Sequence, residues 1–217
     1  MADARSAILE AVAAATEAVR DADPAAAHAA LERGYRQRGT RSPSERVETL
    51  VERLREDDVR VVRTSVPRLA VTIAAELRRA GARRVVVPNG VPDTWLDERE
   101  GFERVPEATD AHALDAAHAA LTGCALAIAD TGTLILDGGE AQGRRAVSLV
   151  PDVHVCVVRE DQVVDVLPEG VAGVTEAARS GVPITMVTGP SATSDIELER
   201  VAGVHGPRTL VAVVVAG

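Results

Sequence analysis

Lysine is absent from this chain, and all 24 of its basic residues are arginine. That absence excludes a Walker-type phosphate lysine and any lysine Schiff base. Arginine is the better fork for a carboxylate or phosphate, and a GC-rich coding bias would give the same composition, so two explanations stand. Aromatic residues are nearly missing too: Tyr35, Trp95 and Phe102 are the whole set. Stacking platforms for nucleic-acid bases are thereby excluded, and the core has to come from Val, Leu, Ile and Ala within an apolar fraction of 46%. The two cysteines, Cys124 and Cys156, are far apart and set among apolar neighbours, which indicates neither a disulfide framework nor a CxxC metal site. They read as buried thiols in a reducing compartment. No apolar run approaches the ~18 residues of a membrane span, and the start, MADARSAILE, is charged and lacks a secretory apolar region. A cytoplasmic location is expected. The net charge of -9 opposes a nucleic-acid backbone or an anionic membrane as the main partner.

At 217 residues the chain fits one α/β domain with a helical extension. Ile8, Val12, Ala15 and Val19 recur at helical spacing, which predicts an amphipathic helix ending before Pro24. Ser42-Pro43-Ser44-Glu45 supplies a capping serine, a first-turn proline and a glutamate able to reach back, and Val47, Leu50, Val51 and Leu54 give the following helix one apolar stripe. Glu32 to Arg41 between them is polar and arginine-rich, an exposed loop and a possible anion contact. Residues 1–56 are expected to be a helical extension packed on the domain formed by 57–217.

From Val59 the pattern becomes strand (Val59 to Val62), helix (Pro67 to Ala80, stopped by Gly81) and strand (Val85 to Val87), a βαβ unit expected at the centre of a mostly parallel open sheet. Pro88-Asn89-Gly90 is a turn at the C-terminal end of a strand, where such sheets place ligands. Asp110 to Ala120 is expected to be helical and Cys124 to Ala129 a strand. A meander of Thr133 to Leu136, a turn at Asp137-Gly138-Gly139, Ala146 to Val150 and Val153 to Val158 follows. After a helix near Thr175 to Ser180, Ile184 to Val187 and Leu210 to Val215 read as buried strands.

Three segments are able to carry chemistry. In AIADTGTLIL, Ala127 to Leu136, a strand breaks at Asp130-Thr131-Gly132-Thr133 and resumes; glycine flanked by hydroxyls brings backbone N–H groups near a ligand, and a plain tight turn explains the same residues. A single Asp-Thr-Gly does not make an aspartic protease, which needs two carboxylates sharing a proton. In MVTGPSATSDIEL, Met186 to Leu198, the residues Thr188, Gly189, Ser191, Thr193 and Ser194 precede an expected short helix, an anion site or a capping box from Ser194 to Glu197, with Asp195 a further ligand-binding candidate. In GVHGPRTL, Gly203 to Leu210, His205 offers an imidazole able to exchange a proton and Arg208 can grip a carboxylate; a structural turn also explains them. His28, His112 and His118 fall in helical stretches and His154 begins an apolar strand. None has metal-ligand spacing, and no metal is expected. Arg144 and Arg145 suit either a loop over a pocket or a solvated turn.

With AIADTGTLIL, LVPDVHVCVV, MVTGPSATSDIEL and GVHGPRTLVAVVV in this order, the sequence resembles the lactate utilisation protein C family, whose members consist of a LUD domain. The resemblance implies a fold similar to sugar-phosphate isomerases and CoA transferases, with a pocket at strand ends. It implies a part in converting L-lactate to pyruvate beside two partner subunits that carry iron-sulfur clusters, with no cofactor in this chain. Asp130 stands where many relatives have glutamate, and Ala192 where many have arginine, leaving Arg208, Arg144 or an arginine of Glu32 to Arg41 to supply positive charge. The leading expectation is a small carboxylate or organic cofactor fragment bound among the Asp130, Ser191 and His205 segments. The alternatives are a stand-alone isomerase or CoA-transferase-like enzyme with Asp130 or His205 as acid-base residue, and a purely structural or regulatory subunit.

Overall fold

The computed structural model describes residues 3–17, 23–96, 101–107, 111–194, 200–203 and 205–216. The chain divides into two units, Met1–Tyr35 and Arg36–Gly217. The first holds α1 (Ala4–Ala15) and α2 (Pro24–Ala29), each opened by an aspartate, Asp3 or Asp23, whose carboxylate accepts a backbone N–H of the first turn. The apolar stripe of α1 is exposed at Ile8, Leu9 and Val12.

The second unit begins before α3 (Pro43–Glu56), so this helix is part of the body. Its start is the capping box expected from the sequence: Ser42 Oγ accepts from Glu45 N at 3.3 Å while Ser42 N donates to Glu45 Oε2 at 2.7 Å. Its stripe of Val47, Leu50, Val51 and Leu54 is buried. There follow β1 (Arg60–Ser65), α4 (Leu69–Arg79), β2 (Arg84–Val87), β3 (Glu103–Pro106), α5 (Ala111–Asp115), β4 (Ala119–Thr122), β5 (Leu126–Ile128), β6 (Thr133–Leu136), β7 (Val153–Arg159), β8 (Val163–Val164), α6 (Leu167–Gly173), α7 (Thr175–Arg179), β9 (Thr185–Val187), β10 (Ala192–Ser194), β11 (Arg200–Ala202) and β12 (Thr209–Ala216).

Six strands form one parallel sheet in the order β1-β12-β7-β4-β2-β3. Its inner strands are buried on both faces, as parallel strands covered by helices must be, and β2, β7 and β12 are rich in valine. On one face Leu69, Ile73 and Leu77 of α4 pack on Val85, Leu121, Val155 and Val213. On the other, α3 and the strand residues Ala127 and Leu134 pack on Cys156, Val158, Ala212 and Val214. Those strand residues belong to a second, four-stranded sheet in the order β8-β5-β6-β9.

Four local expectations change. The strands β1 and β2 flank α4 as a βαβ unit predicts, but β1 pairs with β12 at the sheet edge and β2 with β3 and β4. The alanine-rich stretch is helical only to Asp115; Ala119 and Ala120 enter β4, where small side chains suit a strand enclosed on both faces. The meander does not form: β6 pairs with β5 and β9, residues 145–148 make a 3-10 turn, and β7 lies in the parallel sheet. The segment Ile184 to Val187 is not a buried strand, because Met186 of β9 faces solvent.

Candidate functional site

The Asp130 turn follows β5, where Ala129 N and Asp130 N donate to Val164 O at 2.9 Å and Asp165 O at 3.0 Å. Glycine is required at Gly132, where φ is +61° and a Cβ would lie 2.8 Å from Arg53 Cβ of α3. The Asp130 carboxylate is ion-paired rather than open: Arg36 Nη2 donates to Oδ2 at 3.0 Å and Arg41 Nη2 to Oδ1 at 3.1 Å. Arg41 also holds the buried Asp165 through its guanidinium and through its backbone N–H at 2.9 Å. Burial pushes the Asp165 carboxyl up, but the hydrogen bonds from Arg41 outweigh it and hold the group below its ordinary value. Glu169 behaves alike: burial raises it, and the backbone N–H groups of Gly39, Val166 and Asp165 bring it below its ordinary value. The arginine-rich loop thus spends two of its guanidinium groups on this protein's own carboxylates.

Three hydroxyls continue the turn. Thr131 Oγ1 and Thr133 Oγ1 are 2.8 Å apart, and Thr133 Oγ1 lies 3.0 Å from Thr188 Oγ1, linking the first segment to the second. Gly189 passes so close to the end of α3 that a Cβ would sit 3.1 Å from Asp57 O. Ser191 links the second segment to the third: its N–H donates to Pro207 O at 2.8 Å, its carbonyl accepts from Gly203 N at 2.8 Å, and its Oγ accepts from His205 N at 3.0 Å. The contact uses the backbone of His205, whose side chain is exposed. Arg208 lies over Gly203, with Nε 3.8 Å from Asp152 Oδ1. Thr193 and Ser194 stand in β10 opposite Val201 and Arg200 of β11, and the helix expected to start at Ser194 lies outside the described residues. Asp195 lies outside the described residues.

Among the described residues no hydrogen bond or ion pair joins Asp130 to Ser191, His205 or Arg208. Gly132 and Gly189 abut the junction from α3 into β1, while Thr209 N donates to Asp152 O at the start of β12 and β7. The three segments therefore gather at the N-terminal edge of the parallel sheet. Their glycines and hydroxyls are used mainly in closing turns.

The C-terminal edge is where open α/β sheets bind ligands, at the point where successive connections diverge. Here that point lies between β2 and β4: the chain leaves β2 for the edge strand β3, and leaves β4 toward β7 on the other side. A cavity of about 510 Å³ opens there, with Trp95, Cys124, Asp137, Gln142, Arg159 and Gln162 among its walls. Its polar groups are tied down. Asp137 Oδ1 accepts from Gly139 N at 3.0 Å and Gln142 Nε2 at 2.9 Å, and Gln162 Nε2 donates to Cys124 O at 2.7 Å. The Cys124 thiol is pushed well above its ordinary value, first by its contact with Cys156 and then by burial. Across the Gly139 turn a second cavity of about 590 Å³ is bordered by Asn89, Glu107, Arg144 and Arg145. The Pro88-Asn89-Gly90 turn borders both cavities, through Gly90 and Asn89. The residues missed by sequence reasoning are Asp137, Gln142 and Gln162. They carry no spacing signal, because folding alone brings them together.

Among the described residues no group of three or more His, Cys, Asp or Glu side chains is placed to hold a metal ion. No helix is long and apolar enough to cross a membrane, again among the described residues.

Comparison with known proteins adds a family. The sequence profile of the LUD domain matches residues 96–215, extending the likeness upstream of the Ala127 to Val215 motifs. Lactate utilization protein C of Deinococcus radiodurans is 55% identical over 134 residues, 62% of this chain and 63% of the relative. The chain thus spans less than two thirds of that relative. Lactate utilization protein C of Geobacillus kaustophilus is 29% identical over 172 residues, 71% of each chain. The crystal structure of a DUF162 family protein from Deinococcus radiodurans superposes with a TM-score of 0.70 at 40% identity, covering 82% of this chain and 100% of that one.

Proposed function

The chain belongs to the LUD domain family, and from that premise we propose that it serves L-lactate utilisation, as a cytoplasmic subunit acting with two iron-sulfur partner subunits in oxidising L-lactate to pyruvate. The observation that carries this reading is the likeness to relatives named lactate utilization protein C. Oxidising a 2-hydroxy acid to a 2-oxo acid removes two electrons, which cofactors rather than side chains store. An iron-sulfur cluster takes about four cysteine thiolates, and the two cysteines of this chain cannot supply them. In this division of labour the partners carry the electrons and this chain binds a small anionic ligand. Ser191, His205 and Arg208 at one sheet edge and the cavities at the other are its candidate surfaces.

The stand-alone transferase or isomerase alternative is less well supported. Its acid-base residue would be Asp130 or His205 and its acyl carrier Asp130, whose two carboxylate oxygens are each engaged by an arginine. Deleting the gene and restoring it in trans tests the lactate role: growth on L-lactate as sole carbon source should disappear and return, with growth on glucose unchanged. Undiminished growth on L-lactate in the deletion strain would refute it. Lactate oxidation with a dye acceptor should need the iron-sulfur partners, and a full rate from this chain alone would refute the division of labour.

A further inference from the structure

Resting on the reading above, we propose that the cavity of about 590 Å³ between Asn89, the Gly138-Gly139 turn and Arg144-Arg145 is a binding site for the carboxylate of a small 2-hydroxy or 2-oxo acid, with Arg145 as its grip. Several arginines are already committed to carboxylates of this chain. Arg36 and Arg41 bind Asp130, and Arg41 binds Asp165 as well. Arg159, on the neighbouring cavity, pairs with Asp161, and Arg208 leans toward Asp152. Arg144 is tied to Glu107, whose Oε1 accepts from Arg144 N at 2.6 Å and lies 3.9 Å from Nε. Arg145 makes no ion pair and no side-chain hydrogen bond among the described residues, and it lines the cavity.

Charge and position agree with this assignment. Among the described residues that line it, two guanidinium groups face one carboxylate, so that lining carries one net positive charge on a chain whose total is -9. A monoanion neutralises that charge, and a planar guanidinium offers a carboxylate two parallel hydrogen bonds. Asn89 stands across the cavity with its carbonyl accepting from Ala141 N and its side-chain amide without a partner among the described residues. That amide can donate to, or accept from, the oxygen on C2 of the acid. One wall depends on a close approach that glycine permits: Gly143 has φ of +69°, and a Cβ there would come 2.9 Å from Pro88 Cβ and 3.2 Å from Glu107 Oε2. The site stands at the end of β2 and β3, beside the divergence between β2 and β4.

The test is titration calorimetry of the full chain with sodium L-lactate, sodium pyruvate and inorganic phosphate, on the unaltered protein, Arg145→Gln and Arg208→Gln. The expected result is saturable binding of at least one of the two acids, tighter than phosphate, weakened at least about tenfold by R145Q and changed less than about twofold by R208Q. Absence of saturable binding, tighter binding of phosphate, equal loss in both variants, or loss confined to R208Q would each overturn the proposal. Should R145Q fail to fold, Asn89→Ala decides: weaker acid binding supports the site and unchanged binding removes it. Failure here with lactate growth still dependent on the gene would remove this site and leave the lactate role standing. Binding with growth independent of the gene would do the reverse.

Discussion

Lowering the pH from about 7 to about 4 should destabilise this protein through one side chain, His154. It stands in β7 between Ala120 of β4 and Leu210 of β12, fully enclosed. Its Nε2 is 2.7 Å from Thr122 Oγ1, and its Nδ1 has no hydrogen-bond partner among the described residues. Burial lowers its pKa from 6.5 to about 4. In the unfolded chain it takes a proton as the pH falls through 6.5, while the native state refuses one until about 4. Between those values the unfolded state binds more protons, so stability drops as the pH drops. Each unit of difference corresponds to about 1.4 kcal/mol, so the loss reaches about 2 kcal/mol by pH 5 and about 3 kcal/mol by pH 4. Asp165 and Glu169, held below their ordinary values, contribute at lower pH, as they protonate. Urea unfolding followed by circular dichroism through this pH range, on the protein and on His154→Leu, isolates the effect. The variant leaves Thr122 without its partner, a shift constant with pH, and the other four histidines cancel in the comparison. The stability of the protein minus that of the variant should fall by about 3 kcal/mol as the pH goes from about 7 to about 4. Parallel curves in that window would refute the assignment.

Three other outcomes follow from the same structure. Gly132→Ala forces a Cβ into the left-handed region against the backbone of α3, costing about 1–3 kcal/mol in urea unfolding; an unchanged midpoint would show that the turn relaxes. Arg41→Met should lower that midpoint because it strips the guanidinium from buried Asp165, whereas Arg36→Met removes an exposed pair and should leave it nearly unchanged. Cys124 and Cys156, both buried, with the Cys124 thiol pushed up by Cys156 and by burial, should react with Ellman's reagent only as fast as the protein unfolds, and prompt native-state labelling would contradict that burial.

The parts of the fold legible in the sequence are those where one local rule sufficed. The Ser42 capping box, the α3 stripe and the glycine stop after α4 each rest on residues within a few positions of one another, and each forms as expected. Pairing was not legible in the same way. Val59 to Val62 and Val85 to Val87 look like neighbours because they flank one helix, yet three strands separate β1 from β2 in the sheet, and the partners of β1 come from the last residues of the chain. Ala119 and Ala120 read as helix because alanine favours helix; burial between β2 and β7 overrides that preference. The candidate segments were visible for a related reason. Clusters of glycine, threonine and serine stand out in a chain of valine and alanine, but a sequence cannot distinguish a hydroxyl that binds a ligand from one that bonds its own turn. Thr131, Thr133 and Thr188 bond one another, and Ser191 bonds Gly203, His205 and Pro207.

The arginines separate the two edges of the sheet more sharply than any motif does. At the N-terminal edge Arg208 leans toward Asp152, and in the Asp130 turn Arg36 and Arg41 are met by Asp130 and Asp165. A guanidinium answered by its own carboxylate has already exchanged water for an ion pair, so an incoming anion must first displace that partner. At the C-terminal edge the count among the described residues is unequal, with Arg144 answered by Glu107 and Arg145 left to face a cavity. An anion arriving there displaces only water, and the backbone that positions Arg145 is held by the Glu107 contact to Arg144 N. This asymmetry, rather than the conspicuous Asp-Thr-Gly-Thr or His-Gly-Pro-Arg, is the physical reason to look for the ligand beside β2. It also assigns the motifs a different task, closing the turns that hold the second sheet and the β10-β11 hairpin against the far end of the strands.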